Sequence, residues 1–359
     1  MMNQNYPAPV RYPAPYPNYY PMIPDPKAVE KRRLRMASNG LGFFVLAYFL
    51  LMAVCSFIVS GAIGASGIAT QKNVTSLQYI IQILCILTPP LIAGFFYRIF
   101  SRRRISDTIP KSFVPIKKLI PMLLLGMAAA MIANQLAQMF DNNISLFSLH
   151  NNAPDLEESR TGMEMFLSFV CTAICPALAE EFAFRGIFMG VMRKHGDAFA
   201  IFSSALVFGA MHGNTTQIIF AFVLGLIFGY IDCKANSIIP SVLLHFGNNF
   251  YAVLTDFLRT AIPDEQQAML IIMLIISMFY ILGILSFIYF ARTDKSFFRL
   301  SNDDKNQFSD TDILPFKEKI KTLLTAPGII VCLSLFLTEM LIYLIPEDFL
   351  SLAGAIGIG

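Results

Sequence analysis

The sequence predicts an all-α fold, a polytopic membrane helical bundle of about 8-9 transmembrane helices, and three observations carry that expectation. Of its 359 residues 55% are hydrophobic and only 14% charged, with a mean hydropathy of +0.59, far from the balance of an ordinary soluble domain. Four runs hold no charged residue and are long enough to cross the hydrocarbon core, which takes ~20 residues of helix: Leu41 to Ala65, Leu77 to Tyr97, Leu119 to Phe140 and Met269 to Ala291. Basic residues also alternate between successive loops.

Residues 1–36 precede the first apolar run and read as a disordered Pro/Tyr-rich cytosolic tail. Tyr-Pro-Ala-Pro occurs at 6–9 and again at 12–15, and this much proline favours extended polyproline II over a packed core. No cleavable signal is visible, because the first apolar run starts near residue 40. Residues 37–160 hold the N-terminal transmembrane helices. Four less pure segments follow, near 163–193, 198–212, 217–232 and 237–257. Residues 259–359 add the C-terminal transmembrane helices, Met269 to Ala291 and Gly328 to Ile345, separated by a charged cytosolic loop at 292–325.

Orientation follows from the short loops. Lys27 and Lys31-Arg-Arg-Leu-Arg35 precede the first span, and Arg98, Arg102-Arg-Arg104, Lys111, Lys117 and Lys118 lie between the second and third. The loops at 66–76 and 141–160 are poor in Lys and Arg, the latter carrying Asp141, Asp155, Glu157 and Glu158. The positive-inside rule therefore puts the N-terminus in the cytosol of a multi-pass protein of the cell membrane. The basic clusters sit at helix ends, where anionic lipid headgroups of the bilayer explain them, and nothing in the chain signals nucleic-acid binding. Cys55, Cys85, Cys171, Cys175, Cys233 and Cys332 fall in or beside apolar helices, where a thiol behaves as a small hydrophobe.

Charge inside the less pure segments is the strongest functional signal. Pro176-Ala-Leu-Ala-Glu-Glu-Phe-Ala-Phe-Arg-Gly186 places two carboxylates and an arginine at membrane depth, where an ionisable group costs roughly 2.5–3.5 kcal/mol even on mild insertion scales. Phe208-Gly-Ala-Met-His212 and His245-Phe-Gly-Asn-Asn249 are two further polar islands. At 1.5 Å per residue, Glu180, His212 and His245 lie ~20, ~21 and ~14 Å from the basic ends of their segments, so all three meet near mid-membrane. Pro176 and Gly213-Asn-Thr-Thr216 are candidate helix breaks.

Spacing divides the tasks. Glu181 and Arg185 are four apart, share a face and neutralise each other, which leaves Glu180 rotated ~100° from the pair and suited to general-base work. The alternative is a structural ion-pair knot with a protonated Glu180. Phe208, one turn before His212, packs against its ring. Asn249, one turn after His245, orients that imidazole or donates to a developing oxyanion, with Asn248 pointing elsewhere. Either histidine alone also reads as a neutral imidazole on a backbone carbonyl. His150 and His195 fall in loops and read as solvated. Ala221, Gly225 and Gly229 form a small-residue ladder for close helix packing.

These residues resemble the CPBP intramembrane proteases, the CAAX-protease or Abi group that includes Ras-converting CAAX endopeptidases and bacteriocin-processing or self-immunity proteins. Glu180-Glu181 with Arg185, Phe208 with His212, and His245 with Asn249 match its three motifs in order and spacing. The resemblance covers about 161–258 and implies a catalytic core of that family, hydrolysing a peptide bond in a membrane-associated peptide or protein. It implies that the first glutamate and a histidine activate water, with the remaining His and Asn favouring the oxyanion. No cofactor is favoured, since one helix offers no His-Glu-x-x-His set; zinc held by Glu180, His212 and His245 is the alternative. A non-proteolytic immunity or scaffold role, and less so a transporter, are the other function classes.

Overall fold

The computed structural model describes residues 25–67, 74–102, 104–145, 162–300 and 313–344. The two Tyr-Pro-Ala-Pro copies, His150 and the acidic cluster Asp155, Glu157 and Glu158 lie outside them. The described chain is a helical membrane bundle: α1 (Pro26–Ser66), α2 (Val74–Ser101), α3 (Ile116–Ser145), α4 (Gly162–His195), α5 (Asp197–Ala210), α6 (Thr215–Ala235), α7 (Ile239–Ala261), α8 (Glu265–Thr293), α9 (Phe316–Leu324) and α10 (Pro327–Leu344). Every segment expected to be a membrane helix is helical. Six are long and apolar enough to span alone, seven if α9 and α10, bent by 71°, count as one. The 14-residue α5 is short of a span, and α7 is too polar along one face to pass on hydropathy.

Two elements differ from the sequence reading. Helix α1 starts at Pro26, inside the expected tail: proline occupies the first turn and the Asp25 carboxylate accepts from Lys27 N at 3.1 Å, so the basic stretch up to Arg35 is helical. The expected loop 292–325 contains α9. Its Ile320 and Leu323 turn inwards while Lys317, Glu318 and Lys321 face out, an amphipathic period that the net charge of the segment hides.

Two apolar clusters fill the bundle. One joins α1, α4, α5, α9 and α10 through Leu41, Phe184, Phe208, Leu323 and Phe336; the other joins α3, α6, α7 and α8 through Met131, Phe228, Leu244 and Phe290. The outer faces stay apolar, with Phe57, Leu274 and Ile281 all exposed, as the lipid side of a bundle requires. The small-residue ladder packs α6 on α5: a Cβ built on Gly225 falls 2.8 Å from Ala205 Cβ and 2.9 Å from its Cα. The second contact is backbone and cannot rotate away. Gly225→Ala is therefore expected to destabilise by about 1–3 kcal/mol as an overpacked contact, read as a lower melting temperature in detergent with the helix content unchanged. An unaltered melting temperature would show that the two helices part without cost.

Candidate active site

Helix α4 carries the first polar island, and it is not regular. Val170–Ile174 and Phe182–Met189 are π-helical and bracket the α-helical stretch Cys175–Glu181 that ends on the two glutamates. Stretches of π-helix are rare and concentrate at functional sites. Pro176 was expected to break the helix, but the chain runs through it in αR geometry. Asn249 Nδ2 on α7 donates to Thr172 O at 3.0 Å, inside the first π-helical stretch.

Glu181 is fully buried. Its Oε1 accepts from His245 Nδ1 at 2.8 Å, and its Oε2 lies 3.1 Å from Arg185 Nε. The Arg185 contact has the distance of an ion pair without the angles of a hydrogen bond. The guanidinium instead lies over aromatic faces, 4.3 Å from the Phe208 centroid and 5.7 Å from that of Phe228. Phe208 belongs to one apolar cluster and Phe228 to the other, so Arg185 sits on the seam between them.

Glu180 points away from this pair, as its ~100° offset requires. Its side chain is 16% exposed, and Oε2 stands 3.9 Å from His245 Nε2, beyond hydrogen-bond range but within the span that one bridging water closes. His245 thus faces a carboxylate on each ring nitrogen. Glu181 holds its Nδ1, while the Asn249 amide donates to Thr172 O and its Oδ1 accepts from Asn248 Nδ2 at 3.2 Å. Sequence spacing puts Asn249 and His245 on one face of α7 but says nothing of a carbonyl on another helix.

Helix α5 ends at Ala210, and Gly213, with φ +71°, turns the chain into α6, which Asn214 caps by accepting from Gln217 N at 2.8 Å. His212 lies in this turn. Its Nδ1 meets Phe208 O at 2.9 Å; a carbonyl only accepts, so Nδ1 bears the proton and Nε2 is left as an acceptor in the neutral ring. The Phe208 ring packs edge-on to it with centroids 4.9 Å apart, and lies 6.2 Å from His245. Glu180, His245 and Arg185 are all within electrostatic reach of His212. The structure thus gathers Glu180, Glu181, Arg185, Phe208, His212 and His245 around one point, with Asn249 at its edge. Among the described residues no three His, Cys, Asp or Glu side chains stand so as to hold a metal ion. All six cysteines are free, and Cys171 donates to Gln82 Oε1 at 3.2 Å.

Three neighbours escaped the sequence reading. Asp232, fully buried on α6, accepts from Ser241 N at 3.0 Å and interacts with Glu181 and Arg185; an aspartate closing an apolar run was its signal. Tyr48 of α1, 2% exposed, lies within reach of the charge of Glu180, and nothing in its apolar run marks it. Glu339 of α10 packs on the Gly213 turn, where a Cβ would come 3.0 Å from its Cδ. His195, expected in a solvated loop, is buried: its Nδ1 is 3.7 Å from Glu30 Oε1, and its carbonyl accepts from Lys319 Nζ at 2.6 Å. Helices α1 and α9 close over it, which the local sequence around Arg193 does not reveal.

Residues 162–251 match the family model described as type II CAAX prenyl endopeptidase Rce1-like. The match covers less than half the chain, and it contains every residue of the three motifs. It agrees with the CPBP resemblance read from those motifs. No curated protein and no solved structure matches the chain.

Proposed function

We propose that the chain, carrying an Rce1-like domain at 162–251, is an intramembrane endopeptidase of CAAX-protease type that hydrolyses a peptide bond in a membrane-associated protein or peptide. The observation that carries this reading is the polar cluster in which a partly exposed carboxylate, Glu180, stands 3.9 Å from an imidazole held by a second carboxylate. A neutral packing knot would leave no such gap.

Glu180 takes a proton from water, with His212 Nε2 holding that water as acceptor. The water oxygen attacks the scissile carbonyl carbon and its π electrons move onto oxygen. His245, its Nδ1–H fixed by Glu181 and its ring carrying a second proton on Nε2, presents that Nε2–H to the resulting oxyanion. Collapse of the intermediate breaks the C–N bond as Glu180 returns the proton to the leaving amine. Asn249 acts here as a positioning residue, tying α7 to the π-turn of α4. The catalytic unit is residues 161–258, set in a cell membrane with the N-terminus cytosolic.

The test is purified protein, in detergent, acting on a membrane-anchored peptide in ¹⁸O water. Mass spectrometry is expected to find one cleaved bond with a single ¹⁸O in the new C-terminus; binding without cleavage would favour the immunity or scaffold reading. The mechanism uses no metal, so a strong chelator is expected to leave turnover within about twofold, whereas a three-ligand zinc site would lose its ion and its activity. Loss restored by zinc would replace Glu180 as base with Glu180, His212 and His245 as ligands.

A further inference from the structure

A cavity of about 690 Å³ lies away from the pocket just described, between α1 and α2. Its floor is made of small residues, Gly40 on α1 and Ala93 on α2, and its walls of Phe43 and Phe44 on one side and Phe96 and Phe100 on the other. One charged side chain lines it, Arg33. From Ala47 to Arg33 the groove follows α1 for ~21 Å at 1.5 Å per residue, which is one leaflet's hydrocarbon, ~15 Å, plus its headgroup layer. The arginine stands where the headgroup would be.

This end of α1 and α2 is rich in basic residues. Lys31, Arg32, Arg33 and Arg35 lie on the first turns of α1, of which Arg33 faces the groove and Arg35 Nη2 donates to Thr325 O at 3.5 Å, and Arg98, Arg102 and Arg104 stand at and just past the end of α2. The acidic residue of this stretch, Glu30, is turned inward and occupied: its Oε2 accepts from Ile313 N and Leu314 N, both at 2.9 Å. It does not offset the mouth. Basic pockets between helices at a membrane face are suited to anionic lipid headgroups.

We propose that this groove is a binding site for one anionic phospholipid, its phosphate on Arg33 and one acyl chain laid over Gly40 between the phenyl rings. The site is independent of the proteolytic pocket, since neither its walls nor its arginine belong to α4–α7. Bound lipid bridges α1 and α2 and raises the stability of that pair.

Thermal unfolding and native mass spectrometry of the full chain in detergent test it, with phosphatidylglycerol and phosphatidylcholine as probes. Phosphatidylglycerol is expected to raise the melting temperature and to bind as a single retained lipid; phosphatidylcholine is not. Arg33→Gln is expected to weaken phosphatidylglycerol about fivefold, the ratio for the ~1 kcal/mol a basic residue contributes at an anionic surface. Gly40→Leu fills the floor where a Cβ has only an ordinary 3.5 Å contact with Tyr97, so the chain still folds while the retained lipid is lost. Arg32→Gln is the control for diffuse attraction. Equal loss in Arg32→Gln and Arg33→Gln, or retention in Gly40→Leu, would mean annular lipid only and overturn the proposal. So would a groove whose blockage slows cleavage of a lipid-anchored peptide while phosphatidylglycerol still binds.

Discussion

Glu180→Gln is expected to yield a folded protein whose turnover has fallen by about 10²–10⁴, the loss typical of a positioned general base. The amide keeps the size and hydrogen-bonding capacity of the side chain and removes only its ability to accept a proton. Glu180 is partly exposed, and the buried groups around it are satisfied by others: His245 Nδ1 by Glu181, His212 Nδ1 by Phe208 O, Asn249 by Thr172. Nothing structural depends on its charge. Single-turnover cleavage measured beside the thermal melt checks both halves of the expectation, and full activity in Glu180→Gln would move the base elsewhere.

Glu181→Gln is expected to fail differently, by destabilising the chain. The carboxylate is fully buried and is shared by His245 and Arg185. Glutamine keeps one acceptor for the imidazole but leaves the guanidinium in a dry interior, over two aromatic faces and without its ion-pair partner. Stripping one partner from a buried pair commonly costs ~3–5 kcal/mol. Yield and melting temperature should therefore fall with activity, and Arg185→Met made together with Glu181→Gln should recover part of the stability, because it removes the stranded charge. A well-folded, inactive Glu181→Gln beside an active Glu180→Gln would exchange the roles of the two residues.

The helical bundle and most of the pocket were legible in the sequence because both rest on local rules. Lipid forces each spanning segment to satisfy its own backbone, so apolar length alone locates α1, α2, α3 and α8. Charge in lipid is costly, so Glu180, Glu181 and Arg185 announce themselves. The residues that escaped depend on pairings between helices far apart in the chain. His195 looked solvated because Glu30 and Lys319, which enclose it, lie 165 and 124 residues away in sequence. Four-residue spacing pairs Asn249 with His245, and the contact of its amide with the Thr172 carbonyl on another helix leaves no mark along α7. Tyr48 lies in a run so apolar that a single phenol carries no signal. The number of spans is blurred for a related reason: α5 is enclosed by neighbours and needs no lipid-spanning length, and α7 carries the polar site along one face, which lowers its hydropathy.

The π-helical stretches of α4 fix the rotational phase between two parts of one rod. Residues 162–181 pack mainly on α2 and residues 182–195 on α5, and the wider turns decide the bearing on which Glu180 and Glu181 emerge. Each residue of ordinary helix turns the side chains by ~100°, so any gain or loss of one residue within these turns would swing both carboxylates off the two histidines while leaving the ends of the helix packed as before. The aim of the site is thus stored in the winding of a single helix, and Asn249, clasping Thr172 inside the first loosened turn, is the peg that holds the winding still.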